Sequence, residues 1–211
     1  RPVRDAEEPL ELLAPYSLWK PRRLPDPRTA PLSQVADAFV AIATAEGPVL
    51  DHRAYHTYTR AAGLTRASRD IVAIYRKAGR RERKSARLES ELDAAGAADL
   101  VLRAAGRPRL ALRERAGRPL EEIPLLEITA LFRKLELDRG ESFPTPEARF
   151  RRVLEVYELV RLTPKTRARL EQACAHARLP EWSNAITSSF EPEAPLAKAR
   201  PRRTHRRLRH G

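Results

Sequence analysis

Residues 45–84 have the sequence AEGPVLDHRAYHTYTRAAGLTRASRDIVAIYRKAGRRERK, in which two amphipathic patterns are separated by a glycine. Asp51 is a good helix N-cap, and the first pattern has its apolar face at Ala54, Tyr55, Tyr58 and Ala62. Gly63 follows at the position where the C-cap of this first helix requires a left-handed conformation. The second pattern has its apolar face at Ile71, Ile74, Tyr75 and Ala78. The stretch therefore predicts two helices joined by a glycine turn.

Two such helices followed by positive charge are typical of a helix-turn-helix that binds nucleic acid. The strict motif wants an apolar residue about six positions after the turn glycine. Six positions after Gly63 is Arg69, and the apolar Ile71 lies two positions further. A turn two residues longer than the strict one would restore the register. Without that extension the stretch is only a helical hairpin whose arginines keep it soluble.

The flanking segments predict a mainly α fold with a small β-hairpin. A preceding helix is expected from an N-cap at Ser33 to Gly47-Pro48, with an apolar face at Val35, Ala38, Phe39, Ile42 and Ala43. Residues 80–96 are charged and rich in alanine, which favours a helical extension or connector. Leucines at 100 and 102, then at 110 and 112, alternate around Gly106-Arg107-Pro108 and predict a hairpin. Three helices followed by a hairpin is the order of a winged helix-turn-helix.

The remaining sequence predicts a short helical bundle. Three amphipathic helices are expected to open at Pro124, at the Thr145-Pro146 pair and at the Thr163-Pro164 pair. We therefore divide the chain into four parts. These are a proline-rich linker or strap at 1–32, a winged helix-turn-helix-like domain at 33–118, a helical region at 119–180, and an irregular segment with a basic tail at 181–211.

The charge of the chain indicates a polyanionic partner. There are 41 basic and 28 acidic residues, giving a formal charge of +13 and a sequence pI of about 10.7. Arginine dominates, and its planar fork suits phosphate. The candidate nucleic-acid contacts are Arg66, Ser68, Arg69, Arg76, Lys77, Arg80, Arg81, Arg83 and Lys84, with Arg107 and Arg109 at the expected hairpin tip and Arg202, Arg203, Arg206 and Arg207 in the tail. The alternative to nucleic-acid contact is that the basic residues of the helix form only a solvated charged face. The tail would then serve localisation.

The motifs of catalysis are missing from the sequence. There is no phosphate-binding loop and no dinucleotide fingerprint. The single cysteine excludes a disulfide framework and a thiolate zinc site, and it suggests a reducing, cytoplasmic compartment. His52 and His56 lie four apart, but no third ligand with suitable spacing follows, so we interpret them as an exposed pair. We expect no enzyme activity, no cofactor, no metal and no membrane partner. Because the chain lacks methionine and begins at Arg1, we expect a piece of a longer protein.

The run AFVAIATAEGPVLDHRAYHTYTRAAGLTRASRDI, residues 38–71, resembles a winged-helix module of unassigned function found towards the C-terminus of large bacterial helicase-like proteins. The matching features are the AEGPV turn, the tyrosine-bearing helix after it, and the pattern of Gly63, Arg66 and Ile71. The resemblance implies that this chain binds duplex DNA next to a helicase-like motor domain of the same parent protein. It also implies that catalysis is carried out outside this chain. The alternative function is a scaffold in which residues 120–178 dock a partner and the tail contacts RNA or an acidic protein.

Overall fold

A computed structural model of the chain describes residues 13–20, 23–93, 99–138 and 143–177. Most of these residues are helical, and three short strands form one antiparallel sheet, as the predicted mainly α class requires. The elements in chain order are α1 (Leu32–Glu46), β1 (Val49–Leu50), α2 (Asp51–Ala61), α3 (Arg69–Lys84), β2 (Leu88–Leu92), β3 (Leu100–Ala104), α4 (Leu125–Arg133), α5 (Pro146–Val156) and α6 (Pro164–Ala177). A 3-10 helix, Leu120–Glu122, precedes α4, and a π-helical turn, Lys134–Asp138, follows it.

The first three helices and the sheet share one hydrophobic cluster, which we call the first core. Its centre is aromatic: the ring of Phe39 on α1 lies 5.3 Å from that of Tyr75 on α3 and 5.8 Å from that of Tyr58 on α2. The predicted apolar face of α1 is confirmed, since all five of its residues are buried. The faces of α2 and α3 are confirmed at their centres, while Tyr55, Ala62 and Ile74 are only half-buried at the edges.

Two predicted helix starts are wrong in detail. Helix α1 begins at Leu32 with Pro31 in the cap position, so Ser33 lies within the first turn and caps nothing. Strand β1 continues directly into α2, which puts Leu50 in the cap position and makes Asp51 the first helical residue. The Asp51 carboxylate instead accepts a hydrogen bond from the backbone N–H of Leu100 at 3.4 Å, which ties α2 to β3.

The predicted end of α1 at Gly47-Pro48 is confirmed. A Cβ atom at Gly47 would lie 2.2 Å from the carbonyl oxygen of Ala43, so only glycine fits this close turn. The turn delivers the chain into β1 at the edge of the sheet.

The predicted hairpin is wrong in its partner strand. The helical extension or connector predicted over 80–96 is wrong at residues 85–93, and residues 94–96 lie outside the described residues. The sheet has the order β1-β3-β2, with Leu88 opposite Ala104 and Leu92 opposite Leu100. The chain therefore reverses between β2 and β3, upstream of Gly106-Arg107-Pro108. The leucines at 110 and 112 have other neighbours: Leu110 packs with Leu126, and the carbonyl of Leu112 accepts from the N–H of Ala14.

Helices α4, α5 and α6 surround a second hydrophobic cluster, the second core. Both predicted threonine caps are confirmed, because Thr145 Oγ1 accepts from the N–H of Ala148 and Thr163 Oγ1 from that of Thr166, each at 3.2 Å. Helix α4 is more deeply buried than an amphipathic helix, with every residue from 125 to 132 covered. It is the central helix of this unit.

A polar seam joins the two cores, and the N-terminal segment lies in it. The Tyr16 ring is buried beneath the Arg118 guanidinium, whose Cζ lies 3.6 Å from the ring centroid. Ala14 forms a parallel bridge with Arg113, and Leu18 is exposed. We call residues 13–20 the strap. We call the following residues the seam cluster: Tyr16, Glu46, Arg53, Arg113, Arg118, Glu122 and Glu127.

Candidate nucleic-acid interface

The link between α2 and α3 sets the direction in which α3 leaves the first core. It follows the C-cap residue Ala62, comprises residues 63–68 and begins with Gly63 at φ +74, the left-handed conformation predicted for it. Ser68 is the N-cap of α3, and its Oγ accepts from the N–H of Ile71 at 3.4 Å. Ile71 is 3% exposed while Arg69 is exposed, so the link has the longer form that restores the register.

The exposed face of α3 is almost entirely basic. At about 100° per residue, its cations lie opposite the buried stripe of Ile71, Tyr75 and Ala78. We call these cations the α3 stripe: Arg69, Arg76, Lys77, Arg80 and Lys84. All five are exposed. Ala73 lies among them, and its small side chain leaves the middle of the face open to close approach.

The α3 stripe is also unpaired. Within the described ranges, the five side chains and the neighbouring Arg66 form no ion pair and no hydrogen bond. Two other predicted residues of α3 differ from them. Arg81 lies 3.7 Å from the carboxylate of Glu82, and Arg83 is half-buried. Ser68 is occupied as a cap, so its main role is structural.

A groove of about 490 Å³ lies beside the start of the α3 stripe. Helix α2, the link and α3 form its walls, and three of its lining residues are the cations Arg60, Arg66 and Arg76. Tyr55 lines it as well, and burial raises the pKa of its hydroxyl, which is therefore neutral near pH 7. The groove therefore adjoins the basic surface through its three arginines, and its lining also includes the carboxylates of Asp51 and Asp99.

The candidate residues Arg107 and Arg109 are not at a hairpin tip. Both follow β3, at the end of the hairpin opposite to its loop. Arg109 pairs with Glu91 of β2, whereas Arg107 is exposed. The antiparallel strands β2 and β3 are joined by residues 93–99, whose sequence DAAGAAD contains no basic residue. The segment LESEL, residues 88–92, does not alternate between apolar and polar residues, so it carried no clear strand signal.

The start of this loop is held by the helical unit. Asp93 is buried, its Oδ1 accepts from the N–H of Leu125 at 2.7 Å, and its Oδ2 lies 2.7 Å from Arg169 Nη2. The carboxylate thus caps α4 and pairs with a cation of α6. This end of the hairpin is engaged within the molecule, whereas α3 and the link present exposed cations.

The basic tail cannot be placed in this geometry. Arg202, Arg203, Arg206 and Arg207 lie outside the described residues. Their assignment as phosphate contacts stays a prediction from the sequence.

No protein-family model, no curated protein and no solved structure matches this chain. Over the described ranges, no helix combines the length and apolar composition that a membrane crossing requires.

Proposed function

We propose that this chain is a nucleic-acid-binding module of the winged helix-turn-helix type. In this proposal α3 is the second helix of the motif and binds duplex DNA chiefly through the phosphate backbone. The module is accessory to a larger helicase-like, DNA-processing protein of the bacterial cytoplasm and performs no catalysis itself. The observation that carries the proposal is the unpaired α3 stripe.

The order of the elements supports the fold assignment. A helix, a strand, two helices and a hairpin follow one another in α1, β1, α2, α3, β2 and β3, and β1 pairs with β3 at the sheet edge. In a helix-turn-helix the second helix enters the major groove while the first crosses the backbone. Helix α3 is in the position of that second helix, and its outer face is uncovered by the described elements.

The dimensions of the α3 stripe fit a phosphate-dominated contact. From Arg69 to Lys84 the helix extends about 22 Å at ~1.5 Å per residue. The major groove is about 12 Å wide, so cations at both ends can approach opposite phosphate backbones. The exposed face is rich in cations and poor in asparagine and glutamine, which favours backbone contact over sequence discrimination.

A salt titration of duplex DNA binding tests the proposal. Arg66 and the five stripe cations give six phosphate contacts, so the slope of log affinity against log salt should be near −5 at about 0.9 per contact. Replacing Arg66, Arg69 and Arg76 together with glutamine should weaken binding and reduce the slope by about 2.7. A flat salt dependence, or no binding at ~50 mM salt, would contradict the proposal.

A matched control separates local contacts from net charge. Arg151, Arg161 and Lys165 are exposed cations of the helical unit. Their replacement with glutamine removes the same charge and should leave the slope near that of the parent chain. Equal losses in the two triple variants would mean that binding follows net charge alone.

Removing residues 198–211 distinguishes the proposal from the scaffold alternative. If α3 carries the affinity, the shortened chain keeps a salt-dependent affinity that the triple replacement at 66, 69 and 76 lowers. If all affinity disappears with the tail, α3 is only structural, and the scaffold function with a tail that contacts RNA or an acidic partner is favoured.

A further inference from the structure

Two carboxylates and an imidazole converge where α2 begins. Asp51 and His52 open α2, and Asp99 immediately precedes β3. Because β1 continues into α2 and pairs with antiparallel β3, the start of α2 and the start of β3 lie at the same end of the sheet. One donor atom from each of the three residues lies within 4.8 Å of the other two. Sequence spacing could not show this, since Asp99 is far from His52 along the chain.

The buried carboxylate of this group is held by hydrogen bonds and, in the part of the chain that the structure describes, not by an ion pair with arginine or lysine. Asp51 is 7% exposed, and the groups that hydrogen-bond its carboxylate are neutral: the backbone N–H of Leu100 at 3.4 Å, the backbone N–H of His52 and the hydroxyl of Tyr55. Within the described ranges neither carboxylate pairs with an arginine or lysine. Buried carboxylates are ordinarily paired with a cation or bound to a metal.

We propose that Asp51, His52 and Asp99 form a binding site for a divalent transition-metal ion, with zinc as the representative. His52 Nδ1 lies 3.7 Å from Asp99 Oδ1. Two ligands on a tetrahedral ion with bonds of ~2.1 Å are about 3.4 Å apart, so a small movement of the exposed Asp99 closes the site. An imidazole among the ligands favours zinc, nickel or copper over magnesium or calcium.

Three protein ligands leave at least one coordination position for water or another ligand. All three residues line the groove beside the α3 stripe, so this position opens into the groove. The ion would also bind the end of the hairpin loop to α2. His56 is not a ligand in this proposal, because its Nδ1 lies 3.9 Å from the Glu122 carboxylate, which belongs to the seam cluster.

Calorimetric titration of the full chain with zinc and with magnesium tests the site. Zinc should bind at one saturable site and raise the melting temperature, whereas magnesium should bind far more weakly. His52→Ala and Asp99→Asn should each weaken zinc binding by at least about tenfold, the loss seen even for residues that only support a ligand. Asp51 is left unchanged because it also holds Leu100.

His56→Ala is the matched control, and it should bind zinc as the parent chain does. If it weakens binding as much as His52→Ala, the ligands are the helical histidine pair and the Asp99 assignment is wrong. Zinc binding that survives both His52→Ala and Asp99→Asn would place the ion elsewhere, for example on His205 and His210, and would overturn the proposal. Absence of saturable zinc binding, or equal affinity for magnesium, would overturn it as well.

Discussion

The arginines of this chain occupy two contrasting environments. On the outer face of α3 they are exposed and unpaired. In the seam between the two cores, three arginines are matched by three glutamates, namely Arg53, Arg113 and Arg118 with Glu46, Glu122 and Glu127. The two environments differ in solvation. Water solvates an exposed guanidinium, whereas a buried guanidinium needs hydrogen-bond and ion-pair partners within the protein. Net charge alone therefore does not say which cations are available to a ligand.

Arg113 shows how completely a buried cation of the seam is used. Its Nη1 donates to the carbonyl oxygens of Glu46 at 2.7 Å and Gly47 at 2.9 Å, and its Nη2 to that of Pro48 at 2.8 Å. Nη2 also lies 3.0 Å from the Glu127 carboxylate. The guanidinium thus satisfies carbonyls that the end of α1 leaves without helical partners. It links the first core to α4. The N–H groups of Nη1 and Nη2 all have partners within the protein, so none is left to donate to an external phosphate.

The strap adds a neutral aromatic ring to this network. Tyr16 Oη donates to Glu46 Oε2 at 2.8 Å, and the backbone N–H of Trp19 donates to Oε1 of the same carboxylate at 2.9 Å. Burial raises the pKa of Tyr16 to about 12, so its hydroxyl keeps its proton over the ordinary pH range. The Glu46 carboxylate is therefore held by the strap as well as by Arg53.

The largest expected effect comes from Glu127→Ala. The Glu127 side chain is 2% exposed and faces both Arg113 and Arg118, so its removal leaves two buried cations without their shared counter-ion. We expect the free energy of unfolding to fall by about 3–5 kcal/mol, as when one partner of a buried pair is removed. Urea denaturation measures the change.

Glu147→Ala is the control for this loss. Its partner Arg167 is at 2.9 Å, but both side chains are largely exposed. An exposed pair contributes about 0–1 kcal/mol, so the control should unfold at almost the parent urea concentration. If the two variants lose similar free energy, the contrast between buried and exposed ion pairs is wrong for this chain.

The sequence predicted the local features of the fold better than its long-range pairings. Helical periodicity located the buried faces of α1 and α3, and threonine–proline pairs located the starts of α5 and α6, because these signals lie within a few residues. Strand pairing depends on contacts between distant segments, so the leucines at 110 and 112 were paired wrongly and the strand 88–92 was missed.

The same limit applies to the candidate sites. The exposure of the α3 stripe could be predicted, since it follows from the helical period and the buried face. The pairing of Arg109 with Glu91 and the meeting of His52 with Asp99 could not, because each depends on where β2 and β3 lie. The seam cluster was also missed, since Tyr16, Arg113 and Glu127 belong to three separate segments of the sequence.

A smaller effect is expected at the glycine that begins the link before α3. Gly63 has φ +74 and nothing within 4 Å of an added Cβ, so Gly63→Ala tests backbone conformation without a steric clash. We expect a loss of about 1–2 kcal/mol, the cost of a left-handed conformation for an L-residue. Thermal or urea unfolding measures it.

Gly79→Ala in the middle of α3 should act in the opposite direction. Its added Cβ would be in ordinary contact, 3.5 Å from Arg83 Nη1. Alanine is favoured over glycine in a helix by about 0.5–1 kcal/mol, so this variant should be more stable than the parent. If Gly63→Ala is also stabilising, the left-handed turn is not required for the fold, and the direction in which α3 leaves the first core has another cause.

The smallest expected effect lies within the α3 stripe itself. Arg80 is four residues from both Arg76 and Lys84, and like charges at this spacing destabilise a helix by about 0.2–0.5 kcal/mol per pair. Arg80→Gln relieves both pairs at little cost in helix propensity. The helix dipole favours a cation near the C-terminus, but its influence is confined to the last turn, which follows Arg80.

Urea unfolding of Arg80→Gln should therefore show a small gain in stability at low salt. The gain should disappear near ~1 M salt, where charges are screened beyond about 3 Å. A loss above about 1 kcal/mol, outside the range of ordinary surface substitutions, would mean that Arg80 holds the fold and that the stripe is not free for a ligand.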